Sequence, residues 1–182
     1  MHQFKKLTLI PIIFFGVVSL SATANNEMSN GPVFKDYGPN FIVEGGLSNP
    51  KTQKFKVAFD IAEQGSKNKV NRRIESLARF INMHVRAGVP QKNIELALVI
   101  HGKAGFDILN DKAYQAKYSS PNPNTELLNL LAENNVKIVL CGQSAAYMKI
   151  SQSDINNNVK IALSAMTAHA ILQQQGYSLN PF

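Results

Sequence analysis

The sequence predicts an α/β domain built on a mostly parallel sheet. Apolar stretches with strand character alternate with segments of helical period, the pattern of a sheet covered by its own crossover helices. One stretch, Leu96-Ala97-Leu98-Val99-Ile100, is apolar without a break, which fits a central parallel strand buried on both faces. With 45% hydrophobic residues in 182, the chain can build one domain with a real core but not two. There is no internal repeat.

The first residues stand apart from that domain. Met1–Lys6 is short and basic, 7–21 is an almost uncharged apolar run, and Ala22-Thr23-Ala24 has the small-x-small form of a cleavage site. Residues 1–24 therefore read as a secretory signal peptide. The competing reading is a retained membrane anchor, for which the run is short against the ~20 residues a spanning helix needs. No cysteine lies at the cleavage point to carry a lipid. Export follows, to the periplasm in a Gram-negative source, with no membrane association after cleavage. Residues 25–53 are rich in Asn, Gly, Pro and Ser, with aromatics at Phe34, Tyr37 and Phe41. They read as an extended arm laid on the body or on a neighbouring subunit.

The domain itself spans 54–182. Phe55, Val57, Phe59 and Ile61 alternate with polar residues, a strand signal. From Val70 the period becomes helical through Ile74, Leu77, Ile81 and Val85, and Gly88 with Pro90 stops it. The second strand, 93–102, runs into His101-Gly102-Lys103. A helical piece is expected over 107–118, then a turn at Ser120-Pro121-Asn122-Pro123, then a helix through Asn134 with Asn124 as its cap. Val136–Leu140 forms the third strand and ends at Cys141-Gly142, followed by a short helix to Ile150. A fourth strand at 159–164 and a last helix at 165–175, closed by Gly176, complete the reading.

In open parallel sheets, ligands bind beyond the carboxyl ends of the strands. That rule gathers Cys141 and His101 at one edge. Cys141 is the sole cysteine, so in an exported chain it has no partner of its own for a disulfide. It is either a small buried hydrophobe, an intersubunit disulfide partner, or a thiol kept free for chemistry. A helix N-terminus lowers a thiol's pKa, and Gly142, Gln143 and Ser144 open such a helix. His101 or Lys103, beside Gly102, could assist ionisation as base or cation. The plain alternative for His101 is a bond to a loop carbonyl. His84 and His169, on helices, read as structural or surface residues, and Asp60 with Glu63 is a weak acid–base pair. One cysteine and dispersed histidines speak against zinc, and no Gly-rich phosphate loop follows the first strand, so no cofactor is expected. The net charge is +7, of which Lys5 and Lys6 supply two, and the basic residues are scattered, unlike a nucleic-acid footprint.

The fragments Val99-Ile100-His101-Gly102, Asn122-Pro123-Asn124, Val136–Ser144 and Gln173-Gln174-Gln175-Gly176-Tyr177, in this order and spacing, resemble the DsrE/DsrF-like sulfur-relay family. The arm 31–39 is similar to that of its exported branch. The resemblance implies a three-layer α/β/α fold with a sheet of four to five strands, and homo-oligomers such as trimers or hexamers. It also implies a cysteine that accepts and passes on sulfur as a persulfide, at the position of Cys141, from a small sulfur species or a thiol partner protein. His101 matches a residue that recurs at the end of the second strand. The expected function is thus an exported protein handling reduced sulfur on Cys141. The alternative is a non-catalytic homo-oligomer that binds a small ligand, its cysteine structural.

Overall fold

The computed structural model describes residues 27–180; the leader expected at 1–24 lies outside them. Five strands form one all-parallel sheet: β1 (Phe55–Ile61), β2 (Ile94–Ile100), β3 (Lys137–Cys141), β4 (Val159–Ala162) and β5 (Ser178–Asn180), in the order β4-β3-β2-β1-β5. Five helices join them: α1 (Arg72–Arg86), α2 (Asp111–Tyr118), α3 (Thr125–Glu133), α4 (Gly142–Met148) and α5 (Ala165–Gln174). The first four strands step across the sheet in one direction. Right-handed crossovers put all their connecting helices on one face. After β4 the chain reverses to pair β5 with β1, which sends α5 across the opposite face. The result is three layers, α/β/α.

The two faces are unequal, and β2 shows why. Leu96, Leu98 and Ile100 point to the thick side, where Ile74, Leu77 and Ile81 of α1, Tyr114 of α2 and Leu127, Leu128 and Leu131 of α3 complete the main core. Ala97 and Val99 point to the other side with Ala58, and meet Ala168, Leu172 and Tyr177, with half-buried Val139, Ala162 and Ala165 packed around them. Small residues beneath α5 let that helix lie close to the sheet.

Residues 27–53 pack on the outside of α1. Asn82 is fully buried; its Oδ1 accepts from the N–H groups of Val33 and Phe34, and its Nδ2 donates to the carbonyls of Phe34 and Tyr37. The Arg86 guanidinium donates to the carbonyls of Asn30, Gly31 and Asn40. Phe34 enters the main core. Tyr37 donates to Glu126 at 2.8 Å, and burial together with that carboxylate raises its pKa to about 12.

Two local expectations are corrected. The helix expected over 107–118 is two pieces, a 3-10 segment Gly102–Ile108 and then α2. Leu109 breaks them by bridging to Ile155, and the Asn110 side chain starts α2 afresh by accepting from Ala113 N–H. Asn124 stands before α3 but does not cap it. Its Oδ1 accepts instead from Asn71 N–H at 2.7 Å, and its Nδ2 donates to Asn122 Oδ1, so the residue ties the starts of α1 and α3 together. Asn122 in turn donates to the carbonyls of Asp107 and Leu109. A side chain buried among backbone groups of other segments serves them before its own helix.

Candidate functional site at the carboxyl edge of the sheet

Cys141 ends β3 and precedes the first residue of α4, with its own backbone still extended. The tight change from strand to helix brings the β3–α4 turn against the β4–α5 turn. A Cβ on Gly142 would lie 2.5 Å from the Ala162 carbonyl oxygen, so only glycine permits this approach. The approach places α5 beside the thiol. Ser164 caps α5 by accepting from Thr167 N–H, which leaves the N–H of Ala165, one of the first-turn donors without a helical partner, turned to the sulfur.

The thiol is nearly enclosed, with Cys141 6% exposed. Burial raises its pKa, but the Ser144 hydroxyl and the N–H groups of Ser144, Ala165 and Gln143 together outweigh burial and lower it. All four donors converge on the one sulfur. The serine is itself oriented. Gly102 N–H donates to Ser144 Oγ at 3.0 Å, which leaves the hydroxyl hydrogen available to the thiolate. Gly102 has φ +52 and lies against the Ala62 carbonyl, where a Cβ would come within 2.9 Å. Gln143 donates across to the Leu163 carbonyl and ties the two turns. Of the residues the sequence nominated, Gly142, Gln143, Ser144 and Gly102 thus meet around Cys141.

His101 and Lys103 are placed differently. The in-register pairing Ile100↔Leu140 sets His101 one strand from Cys141, on the same pleat face. Its ring is turned to β1: Nε2 donates to Asp60 Oδ2 at 3.0 Å. His169 of α5 donates to the other oxygen, Asp60 Oδ1, at 2.7 Å. Burial works to raise the Asp60 pKa, but the two imidazoles outweigh it and hold the carboxyl below its usual range. The Asp60–Glu63 pair is not formed, because Glu63 faces Arg73 at 2.7 Å. Lys103 is exposed and borders an apolar groove of about 490 Å³ with Phe106, Tyr147 and Met148, which Ser144 separates from the thiol. His84 is packed away from this edge, stacked on Phe80 at 3.9 Å, and burial lowers its pKa.

The Asp60–His169 bond and the Ala165 N–H are what sequence reading missed. The available signal was the four-residue step from Ala165 to His169, which aligns them on one helix side. Among the described residues no cluster of three or more His, Cys, Asp or Glu could hold a metal ion, and no helix is long and apolar enough to cross a membrane. Another hollow of about 230 Å³ lies between the arm and α1, lined by Phe41, Ile42 and Val43 and remote from the thiol.

Comparison with known proteins agrees with this architecture. The profile of the DsrE/DsrF-like family matches residues 55–181, the whole sheet and every helix. A protein of unknown function from Methanobacterium thermoautotrophicum, MTH1491, superposes with a TM-score of 0.55 at 12% identity. The match covers 71% of this chain and 100% of that one, a likeness of fold. No curated protein matches the chain.

Proposed function

The chain belongs to the DsrE/DsrF-like family, and on that premise we propose that it is an exported member that takes up reduced sulfur as a persulfide on Cys141. The observation that carries the reading is the convergence of a hydroxyl and three N–H groups on the one thiol, which favours its ionised form. The thiolate attacks the outer sulfur of a donor R–S–SH. A new S–S bond forms at Cys141, the donor's S–S bond breaks, and the R–S group leaves with the electron pair. The oxidised sulfur comes from the donor, so no other oxidant is needed. The same donors then stabilise the terminal persulfide anion until an acceptor thiol removes it. A proton-transfer or charge-neutralising role for His101 or Lys103 belongs to the same proposal, with His101 one strand away and its Nε2 bonded to Asp60, and Lys103 beyond Ser144.

Export by the 1–24 leader to the periplasm, and assembly as a trimer or hexamer, belong to the same proposal. Exposed Leu163, Met166 and Tyr147 near the site support assembly, being 72%, 80% and 90% accessible in the single chain. The test is alkylation of the native mature protein across pH. Reaction with the pH profile of a thiol more acidic than free cysteine supports the proposal; reaction only after unfolding sinks it.

The near-complete burial of Cys141 favours a second reading, a non-catalytic homo-oligomer that binds a small ligand while the cysteine packs. A Cys141→Ser variant with unchanged function and ligand binding would select it.

A further inference from the structure

We infer that Asp60 and His169 form a latch that positions the first turn of α5 over Cys141. The inference rests on the proposed role of that thiol and adds residues that touch neither the sulfur nor its donor.

The approach to α5 is tied by Gln143, which donates to the Leu163 carbonyl, while the helix itself has few fixed contacts. Beneath it lie Ala58, Ala97 and Val99, small side chains that give Ala168 and Leu172 an apolar seat with little relief to fix a register. The lysine contacts from the sheet, Lys56 and Lys137, reach Gln175, past the end of the helix. The body of the helix is tied by His169, whose Nε2 reaches Asp60 Oδ1 at 2.7 Å. Asp60 is itself steadied from β2, since His101 holds its second oxygen. His169 lies four residues beyond Ala165, one turn along, so the two residues share the side of the helix that faces the sheet, and the Ala165 N–H, directed along the axis, leaves the helix start one turn from the ring. A helix pinned one turn past its start cannot rock without moving that start. The charged and titratable groups at this contact are Asp60 from β1, His101 from β2 and His169 from α5; Lys56 and Lys137 lie at the opposite end of the helix. Loss of the latch leaves Cys141 with the donors of α4 but loosens the one from α5.

The experiment compares thiol alkylation against pH in the full chain and in His169→Leu, His169→Gln and Asp60→Asn. Leucine removes the donor; glutamine keeps an N–H at nearly the position of the histidine Nε2. His169→Leu is expected to lower the reaction rate at neutral pH by about threefold to tenfold and move its profile to higher pH, with His169→Gln restoring most of the loss. Asp60→Asn should resemble His169→Leu, and the two together should cost no more than either alone. His169 lies on a surface helix with its side chain 22% accessible, so its two variants decide the matter whether or not Asp60→Asn folds. Profiles of both His169 variants that overlay the parent overturn the latch. A parent protein that alkylates normally yet takes no sulfur from polysulfide overturns the sulfur reading and leaves the latch to be judged by these profiles alone.

Discussion

Replacing Ser144 with alanine removes the hydroxyl that faces the sulfur and leaves the backbone N–H groups in place. A hydrogen bond to a charged group is worth about 1.5–3 kcal/mol, so the ionised fraction of Cys141 should fall by roughly tenfold or more at any pH below its pKa. A less acidic thiol is intrinsically more nucleophilic, with a Brønsted slope of about 0.4–0.5, which returns part of the loss. The net expectation is an alkylation rate about threefold to tenfold below the parent at low and neutral pH. At a pH where both thiols are ionised, the order inverts and the variant is faster. Stopped-flow alkylation of the folded protein from acid to alkaline pH reads both arms. The crossing separates lost ionisation from lost access, because a blocked thiol would be slower at every pH. Curves that superpose, or a variant slower throughout, refute the argument that Ser144 favours the thiolate. The Gly102 N–H loses its acceptor in the same variant, so a small loss of stability should accompany the change.

Gly142→Ala should cost about 1–3 kcal/mol in denaturant unfolding and slow thiol alkylation, since its Cβ meets the Ala162 carbonyl at 2.5 Å and the two turns must part. Asn82→Ala should release the arm: four backbone groups of residues 33–37 lose their partner, and limited proteolysis should cut within 27–53 far faster than in the parent. Because the Asp60 carboxyl is held below its ordinary pKa, it contributes stability that is complete above the unfolded value, about 3.9, and is lost as pH falls through the folded value. Asp60→Asn should therefore flatten that acid limb of an unfolding-midpoint-versus-pH curve and leave its shape near pH 6 to 8 to other groups.

The parts of the fold legible in the sequence are those where one residue pattern meets one face. The unbroken run of β2 and the helical stripe Ile74-Leu77-Ile81 of α1 read directly, because burial on the sheet dictates each position. β5 did not read: three residues, Ser178-Leu179-Asn180, pair with β1 through backbone at an edge and carry no core pattern. The break between the 3-10 segment and α2 depends on Leu109 meeting Ile155, a contact 46 residues away that no local period records. Asn124 has the chemistry of a cap, but its side chain is claimed by Asn71 N–H from another helix. The site divides the same way. Cys141, Gly142, Gln143 and Ser144 are contiguous and were visible as a strand-end turn. The bond from His169 to Asp60 spans 109 positions and exists only because the chain reverses after β4 to lay α5 across the far face.

If Cys141 is the sulfur acceptor, the folded protein should take up sulfur at that residue alone. Intact-protein mass spectrometry of the mature chain after brief exposure to polysulfide or thiosulfate, with mapping of the modified peptide, tests it most directly. The expected result is the gain of one sulfur atom, on the peptide carrying Cys141, reversed by a small thiol and absent in Cys141→Ser. An unmodified Cys141 in a protein shown to be folded, or the same mass gain in Cys141→Ser, would contradict it.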